Sequence, residues 1–180
     1  ADTSTDISAL ESALAQSEPS SHSSKSLSKD PGKRAFEIAN RMAKATDVEN
    51  LYQIAVTEIR KRFEVDRALI YQFQSETQGT VIAESLNAGY GPKLGESLPA
   101  IAFGASDAKS YKQQSSVAIV HAADTTVTPY QMQLFNQFQV QASLSLPVFL
   151  NERLWGLDVI QQCDAPRKWN KSDTGFLYMV

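Results

Sequence analysis

Residues 138–169 read FQVQASLSLPVFLNERLWGLDVIQQCDAPRKW. Within that stretch, Ala142–Leu150 and Leu154–Cys163 are rich in Leu, Val, Ile and aromatic residues, and the polar triplet Asn151-Glu152-Arg153 separates them. Apolar runs of this length around a turn predict a β-hairpin. Asp158 interrupts the second run. Alternation puts it on one face with Gly156 and Ile160, opposite Trp155, Leu157 and Val159. A carboxylate there needs a partly solvated face, a polar neighbour or a ligand, because burial without a partner raises its pKa. Downstream, Asp164–Asn170 reads as a loop, and Ser172 is expected to cap a final helix that the chain end cuts short.

Working back from the hairpin, Pro129 stands at the first-turn position of a helix reaching Phe138. Val117–Val120 reads as a short strand. Residues 96–116 are polar and irregular, with a short helix expected at Ala105–Gln113. Asn87–Gly95 carries three glycines and Pro92 and is a loop. Arg67–Gln74 and Thr80–Leu86 read as strands around a turn at Gln78-Gly79. Thr46 and Glu49 form a capping-box signature. Leu51, Ile54, Ala55, Ile59 and Phe63 then recur at helical spacing as far as Glu64. Arg60-Lys61-Arg62 suits the negative end of that helix dipole. Lys33–Lys44 is a further helix, with Phe36, Ile38, Ala39 and Met42 apolar. The order is helix, two strands, long crossover, strand, helix, hairpin, helix. It predicts an α+β fold: one central antiparallel sheet, terminal helices on one face, and loops and a helix roofing a pocket on the other.

Residues 1–30 hold ten serines and no aromatic residue. They are expected to be a Ser-rich linker, with a short connecting helix at 7–16 where Ile7, Leu10 and Leu14 follow heptad spacing. Residues 31–180 form the domain. The whole chain is 42% hydrophobic and 21% charged, with a net charge of −3. Nothing in this balance, or in the scatter of the basic residues, points to nucleic acid. Cys163 is the only cysteine, so no disulfide forms within the chain and a reducing compartment fits. No apolar run reaches the roughly 18 residues of a membrane helix. A cytoplasmic location is expected, either free or as the cytoplasmic part of a membrane-anchored receptor.

Two stretches carry a specific resemblance. Asp66-Arg67-Ala68-Leu69-Ile70-Tyr71-Gln72-Phe73 with Val81-Ile82-Ala83-Glu84-Ser85 is similar to the first hairpin of bilin-binding GAF domains, those of phytochromes and cyanobacteriochromes. The 138–169 stretch resembles their C-terminal half, above all in Arg153-Leu154-Trp155-Gly156 and in Gln162-Cys163-Asp164-Ala165-Pro166-Arg167-Lys168-Trp169. The likeness covers roughly residues 35–180 and implies the GAF fold.

The same resemblance shows what this chain lacks. Where bilin-binding members carry a Cys-His pair after a Thr-Pro turn, Thr128-Pro129 is followed by Tyr130-Gln131. A phenol cannot replace a thiol in thioether formation. The Asp-x-Cys-Phe motif is Ala100-Ile101-Ala102-Phe103 here. His-Gln-Cys becomes Gln161-Gln162-Cys163, and Val-Arg-Ala-Asn becomes Val140-Gln141-Ala142-Ser143. Tyr90 and Tyr111 match aromatic residues near the family pocket. The ligand-binding positions implied are thus Tyr90, Ala100, Ala102, Phe103, Tyr111, Tyr130, Gln131, Gln141, Ser143 and Gln161. Their losses of thiol, imidazole and charge argue against covalent bilin, so no cofactor is expected and a non-covalent bilin stays as the alternative. A buried propionate without a cation is costly.

Cys163 reads as a small buried hydrophobe, with an alternative attachment site as the second reading, and Trp155 and Trp169 read as packing residues. His121 has no second ligand nearby to make a metal site, and His22 lies in the serine linker. No catalytic motif is visible. The expected role is a non-catalytic sensory module of a cyanobacterial-type signal-transduction protein, a phototaxis transducer or sensor kinase. Its partners would be neighbouring domains of the same polypeptide, and a homodimer through the terminal helices is expected. A small-molecule or non-covalent bilin sensor is the second reading; a reductase working on sulfoxides through cysteine is the third.

Overall fold

The computed structural model describes residues 30–114, 118–124 and 126–179, with side chains outside the description at 114 and 118–120. The linker and connecting helix expected at 1–29 lie outside these residues, as does the start of the strand expected at Val117. The first helix, α1, is Pro31–Met42, capped by the Asp30 carboxylate on the Lys33 amide. Helix α2 is Val48–Phe63. Its cap is Asp47, accepting from the Asn50 amide at 2.7 Å; the capping box expected at Thr46 and Glu49 does not form, and the Thr46 hydroxyl donates to Asp47 instead. The helix begins at Val48, which puts Asp47 and not Thr46 at the N-cap. Glu64 ends α2 in the left-handed region, with φ 52°. Arg167 reaches back from the far end of the chain to donate to the Phe63 carbonyl at 2.6 Å, satisfying one of the last carbonyls of α2.

Among the described residues, six strands follow: β1 Arg67–Phe73, β2 Gln78–Leu86, β3 Ser97–Pro99, β4 Ala118–His121, β5 Ala142–Leu150 and β6 Arg153–Gln162. They make one sheet in the order β3-β2-β1-β6-β5-β4, each pairing antiparallel. Gln78 and Gly79 belong to β2 and pair with Pro99 and Leu98, so the turn lies at 74–77 rather than at Gln78-Gly79. A 3-10 turn at Ala100–Phe103, helix α3 at Ala108–Gln114 and helix α4 at Pro129–Phe138 form the crossover. The Thr128–Gln131 capping box starts α4. Helix α5, Lys171–Met179, is capped by a reciprocal pair of side-chain bonds between Asn170 and Asp173; Ser172 lies inside it rather than at its cap.

The sheet separates two apolar cores. On one face, Ala35, Ile38, Val56, Ile59, Phe63, Phe176 and Leu177 of α1, α2 and α5 bury Ala68, Ile70, Ala83, Leu144, Leu146 and Ile160. On the other, the crossover covers Leu69, Tyr71, Val81, Leu157 and Val159. The terminal helices and the roof stand as the alternation predicted. Two bulges alter the detail. Ile70 pairs with Ala83 and Tyr71 with Val81, leaving Ile82 as an extra residue. Val148 pairs with Gly156 and Phe149 with Leu154, leaving Trp155 extra. The second bulge turns Trp155 to the helix face, where its ring lies 5.7 Å from that of Tyr52, not to the face of Leu157 and Val159 as strict alternation predicts.

Asp158 faces the helix layer in register with Ile70 and Leu146, both core residues. Although part of the residue reaches solvent, its carboxylate accepts no hydrogen bond among the described residues. Desolvation by its surroundings pushes its pKa up to about 7.

Two predictions follow from this packing. A Cβ on Gly156 would collide with the Tyr71 carbonyl, whereas none of the neighbouring atoms lies within 4 Å of one on Gly91. Gly156→Ala should cost roughly 1–3 kcal/mol or more in urea unfolding, and Gly91→Ala should stay within about 0.5 kcal/mol. For Asp158, the folded-state pKa exceeds the unfolded one, so the folded chain keeps a proton that the unfolded chain releases first. Its contribution is full below about pH 4 and is lost as pH rises through 7. Asp158→Asn should therefore gain roughly 1–2 kcal/mol at about pH 8 and almost nothing at about pH 4, read by chemical denaturation at both values.

Candidate functional site

Under the roof, the described residues bring a layer of aromatic side chains together. Tyr71, Phe103, Tyr111, Phe135 and Phe138 are almost wholly buried there. The Tyr71 ring lies 4.8 Å from Phe103 and 5.2 Å from Phe73, and Phe73 lies 6.1 Å from Tyr111. The Tyr71 hydroxyl donates to the Leu98 carbonyl at 2.8 Å. The Tyr111 hydroxyl accepts from the Ala105 amide at 3.1 Å and donates to the Ala100 carbonyl at 3.4 Å. Burial raises the pKa of both phenols, so both stay protonated donors.

The structure gathers most of the expected ligand-binding positions into this layer. Ala100, Ala102 and Phe103 form the 3-10 turn and are buried, as is Tyr111. Gln131 spans from α4 to that turn: its amide donates to the Gly104 carbonyl at 3.1 Å and to Ile101 at 3.4 Å, while its oxygen accepts from the Thr128 amide. Its side chain is thereby committed to holding the roof. Ser143 and Gln161 face each other across β5 and β6, at 0% and 1% exposure. Among the described residues, the Ser143 hydroxyl and the Gln161 Nε2 have no hydrogen-bond partner.

Three expected positions fall elsewhere. Tyr130 is 51% exposed on the outside of α4. The capping box explains this, because Gln131 must turn inward to bond Thr128, which rotates its neighbour out. Gln141 is exposed, and its backbone joins Ala122 and Gln162. Tyr90 sits by Asp66, Cys163 and Asp164, where desolvation and the Asp66 charge raise its pKa.

Composition and periodicity did not single out the residue at the centre of the site. Arg67 is 1% exposed, and its guanidinium meets four groups. Nε donates to Glu84 Oε1 at 3.0 Å, Nη1 to the Phe138 carbonyl at 3.2 Å and to Gln161 Oε1 at 2.9 Å, and Nη2 to the Gly91 carbonyl at 2.9 Å. Glu84 Oε2 in turn accepts from the Lys93 and Leu94 amides at 2.8 and 3.0 Å. The signal was present: two opposite charges, Arg67 and Glu84, each inside an apolar strand of one hairpin. Next door, burial works to raise the Asp66 pKa, but bonds from the Cys163 amide, Asn87 and Asp164 outweigh it and hold the carboxylate ionised. Cys163 is buried and its thiol is pushed up to about 11, chiefly by desolvation, so it is a poor nucleophile. No group of three or more metal-ligating side chains comes together among the described residues. No described helix is long and apolar enough to cross a membrane.

The GAF domain family model matches residues 47–180. A protein named for methyl-accepting chemotaxis in Synechocystis is 30% identical over 137 residues, covering 76% of this chain and 14% of that protein. The circadian input-output histidine kinase CikA of Thermosynechococcus vestitus is 26% identical over 149 residues, covering 78% of this chain and 20% of the kinase. The chain thus spans about a fifth or less of the length of these two relatives. Among solved structures, the phycocyanobilin-bound GAF domain of a cyanobacterial phytochrome superposes with a TM-score of 0.71 at 23% identity, over 84% of this chain and 90% of that one.

Removing the partner of the buried guanidinium should unfold the corner it organises. Glu84→Gln is expected to cost roughly 3–5 kcal/mol in urea unfolding, because Arg67 keeps its charge without compensation. A cost below about 1 kcal/mol, the range of surface pairs, would show that water reaches the pair.

Proposed function

This chain belongs to the GAF domain family, and from that premise we propose that it is a non-catalytic sensory module working inside a larger cytoplasmic signalling protein. The relatives' names, a chemotaxis transducer and a histidine kinase, support a role between other domains of one polypeptide. The observation that carries the reading is the stacking of α1 and α5 on one sheet face, sharing one core through Ile38, Phe176 and Leu177. Any rearrangement of the sheet reaches both chain-terminal helices at once. Their outer side exposes Phe36, Tyr178 and Met179 at 66%, 56% and 52%, an apolar surface suited to a second copy. Residues 31–180 are the sensory domain in this reading, and residues 1–30 its connection.

Covalent bilin has no place in it. The attachment position holds an exposed phenol at Tyr130, and Cys163 is buried with a raised pKa. One observation supports the second reading, a reversibly bound small molecule or bilin: Gln161 Nε2 and Ser143 Oγ are buried polar atoms left without partners.

Sedimentation of the chain should show a self-associating species that Phe36→Glu weakens. A strict monomer at all concentrations argues against coupling through paired helices. Co-expressed with phycocyanobilin synthesis, the chain should show no zinc-enhanced fluorescent band on a denaturing gel, and such a band would overturn the exclusion of covalent bilin. Thermal-shift screening with bilins and cyclic nucleotides separates the two readings. A ligand that raises Tm, with the gain lost in Gln161→Leu, selects the second.

A further inference from the structure

At the end of the sheet that carries the β1–β2 and β5–β6 turns, two clefts meet. One, of about 380 Å³, is lined by Glu76, Ala108, Lys109, Lys112, Arg153 and Leu154. The other, of about 560 Å³, is lined by Phe73, Leu150, Asn151, Arg153, Leu154 and Trp155. Arg153 and Leu154 belong to both, so the clefts form one groove with a cationic end and an apolar end. Three cations against one carboxylate give the groove the opposite sign to a chain of net charge −3. None of the three makes a salt bridge among the described residues. At the apolar end, Leu150 is 59% exposed and Trp155 half-buried.

The geometry points to the chain's own residues 1–18 as the occupant of this groove. That segment carries Asp2, Asp6, Glu11 and Glu18 and no Lys or Arg, while Ile7, Leu10 and Leu14 recur at the spacing of one helix face. Its acids match Lys109, Lys112 and Arg153, and its apolar stripe matches Leu150, Leu154, Phe73 and Trp155. The reach also fits. Asp30 starts α1, and the turn after the 12 residues of α1 leads to α2, whose Tyr52 stacks on Trp155 at the groove's edge. Asp30 therefore lies one α1 length, about 18 Å at 1.5 Å per residue, from the turn that leads to α2. The eleven residues 19–29, mostly serine, have a root-mean-square span of about 18 Å as a random chain. This docking is independent of anything bound under the roof, and it would place the incoming segment against the hairpin that crosses from one core to the other.

The test uses the full chain with Trp169→Phe, so that Trp155 is the only tryptophan. Acrylamide quenching of Trp155 should rise when Leu10 and Leu14 are both changed to Ser. It should also rise with Lys109→Glu and Lys112→Glu, and fall back when Asp6→Lys and Glu11→Lys are added to those two. Zero-length carbodiimide coupling of a mixture of light and heavy-isotope chains should join Lys109 or Lys112 to an acid of residues 1–18 within one chain. Unchanged quenching in the Leu10/Leu14 variant, or no recovery on the charge swap, overturns the proposal. Links that join light to heavy chains also overturn it, making a second copy the occupant.

Discussion

The ion pair between Arg67 and Glu84 holds more of this fold together than any other interaction. Arg67 enters from β1 and Glu84 from β2, and both side chains point to the roof face, 1% and 4% exposed. A guanidinium so placed is tolerable only if every N–H edge finds an acceptor. The acceptors come from β2, from Gln161 of β6, from the last residue of α4 and from the loop after β2. Glu84 spends its second oxygen on the amides of Lys93 and Leu94. One planar cation thereby fixes where the roof helix ends, where the loop crosses, and which rotamer Gln161 adopts. Lys93, held by that loop, lies 4.7 Å over the Phe138 ring and closes the same corner.

Around that corner the sheet works as a two-sided partition. Strand alternation assigns Leu69, Tyr71, Leu157 and Val159 to the roof and Ile70, Leu144, Leu146 and Ile160 to the terminal helices. Where a bulge adds a residue, the assignment slips, as at Trp155. Asp158 sits on the partition itself, directly opposite the core residues Ile70 and Leu146, with desolvation opposing its charge. A chain that keeps such a residue gives up stability at neutral pH.

The roof is held from inside. Ala100 and Ala102 put methyl groups into the core from the 3-10 turn that carries them. Gln131 bonds that turn to the start of α4. Among the described residues, the buried Ser143 hydroxyl and Gln161 Nε2 keep unspent hydrogen-bonding capacity. The small apolar residues of the turn were legible as residue types. That aromatic rings would close over the space was not, because ring positions depend on how the crossover settles on the sheet.

From the sequence alone came the class of fold, the order of its main elements, the two hairpins and the helix start at Pro129. These depend on local periodicity, turn chemistry and residue identity, which neighbours in sequence largely decide. Tertiary structure decided which way Trp155 faces, and that Arg67 unites four segments. Each of these rests on competition between partners far apart in the chain, such as Arg67 with Gln161 and Arg167 with Phe63. A hydrogen bond is won by geometry at short range, and sequence spacing does not specify that geometry until the sheet brings both partners to one place.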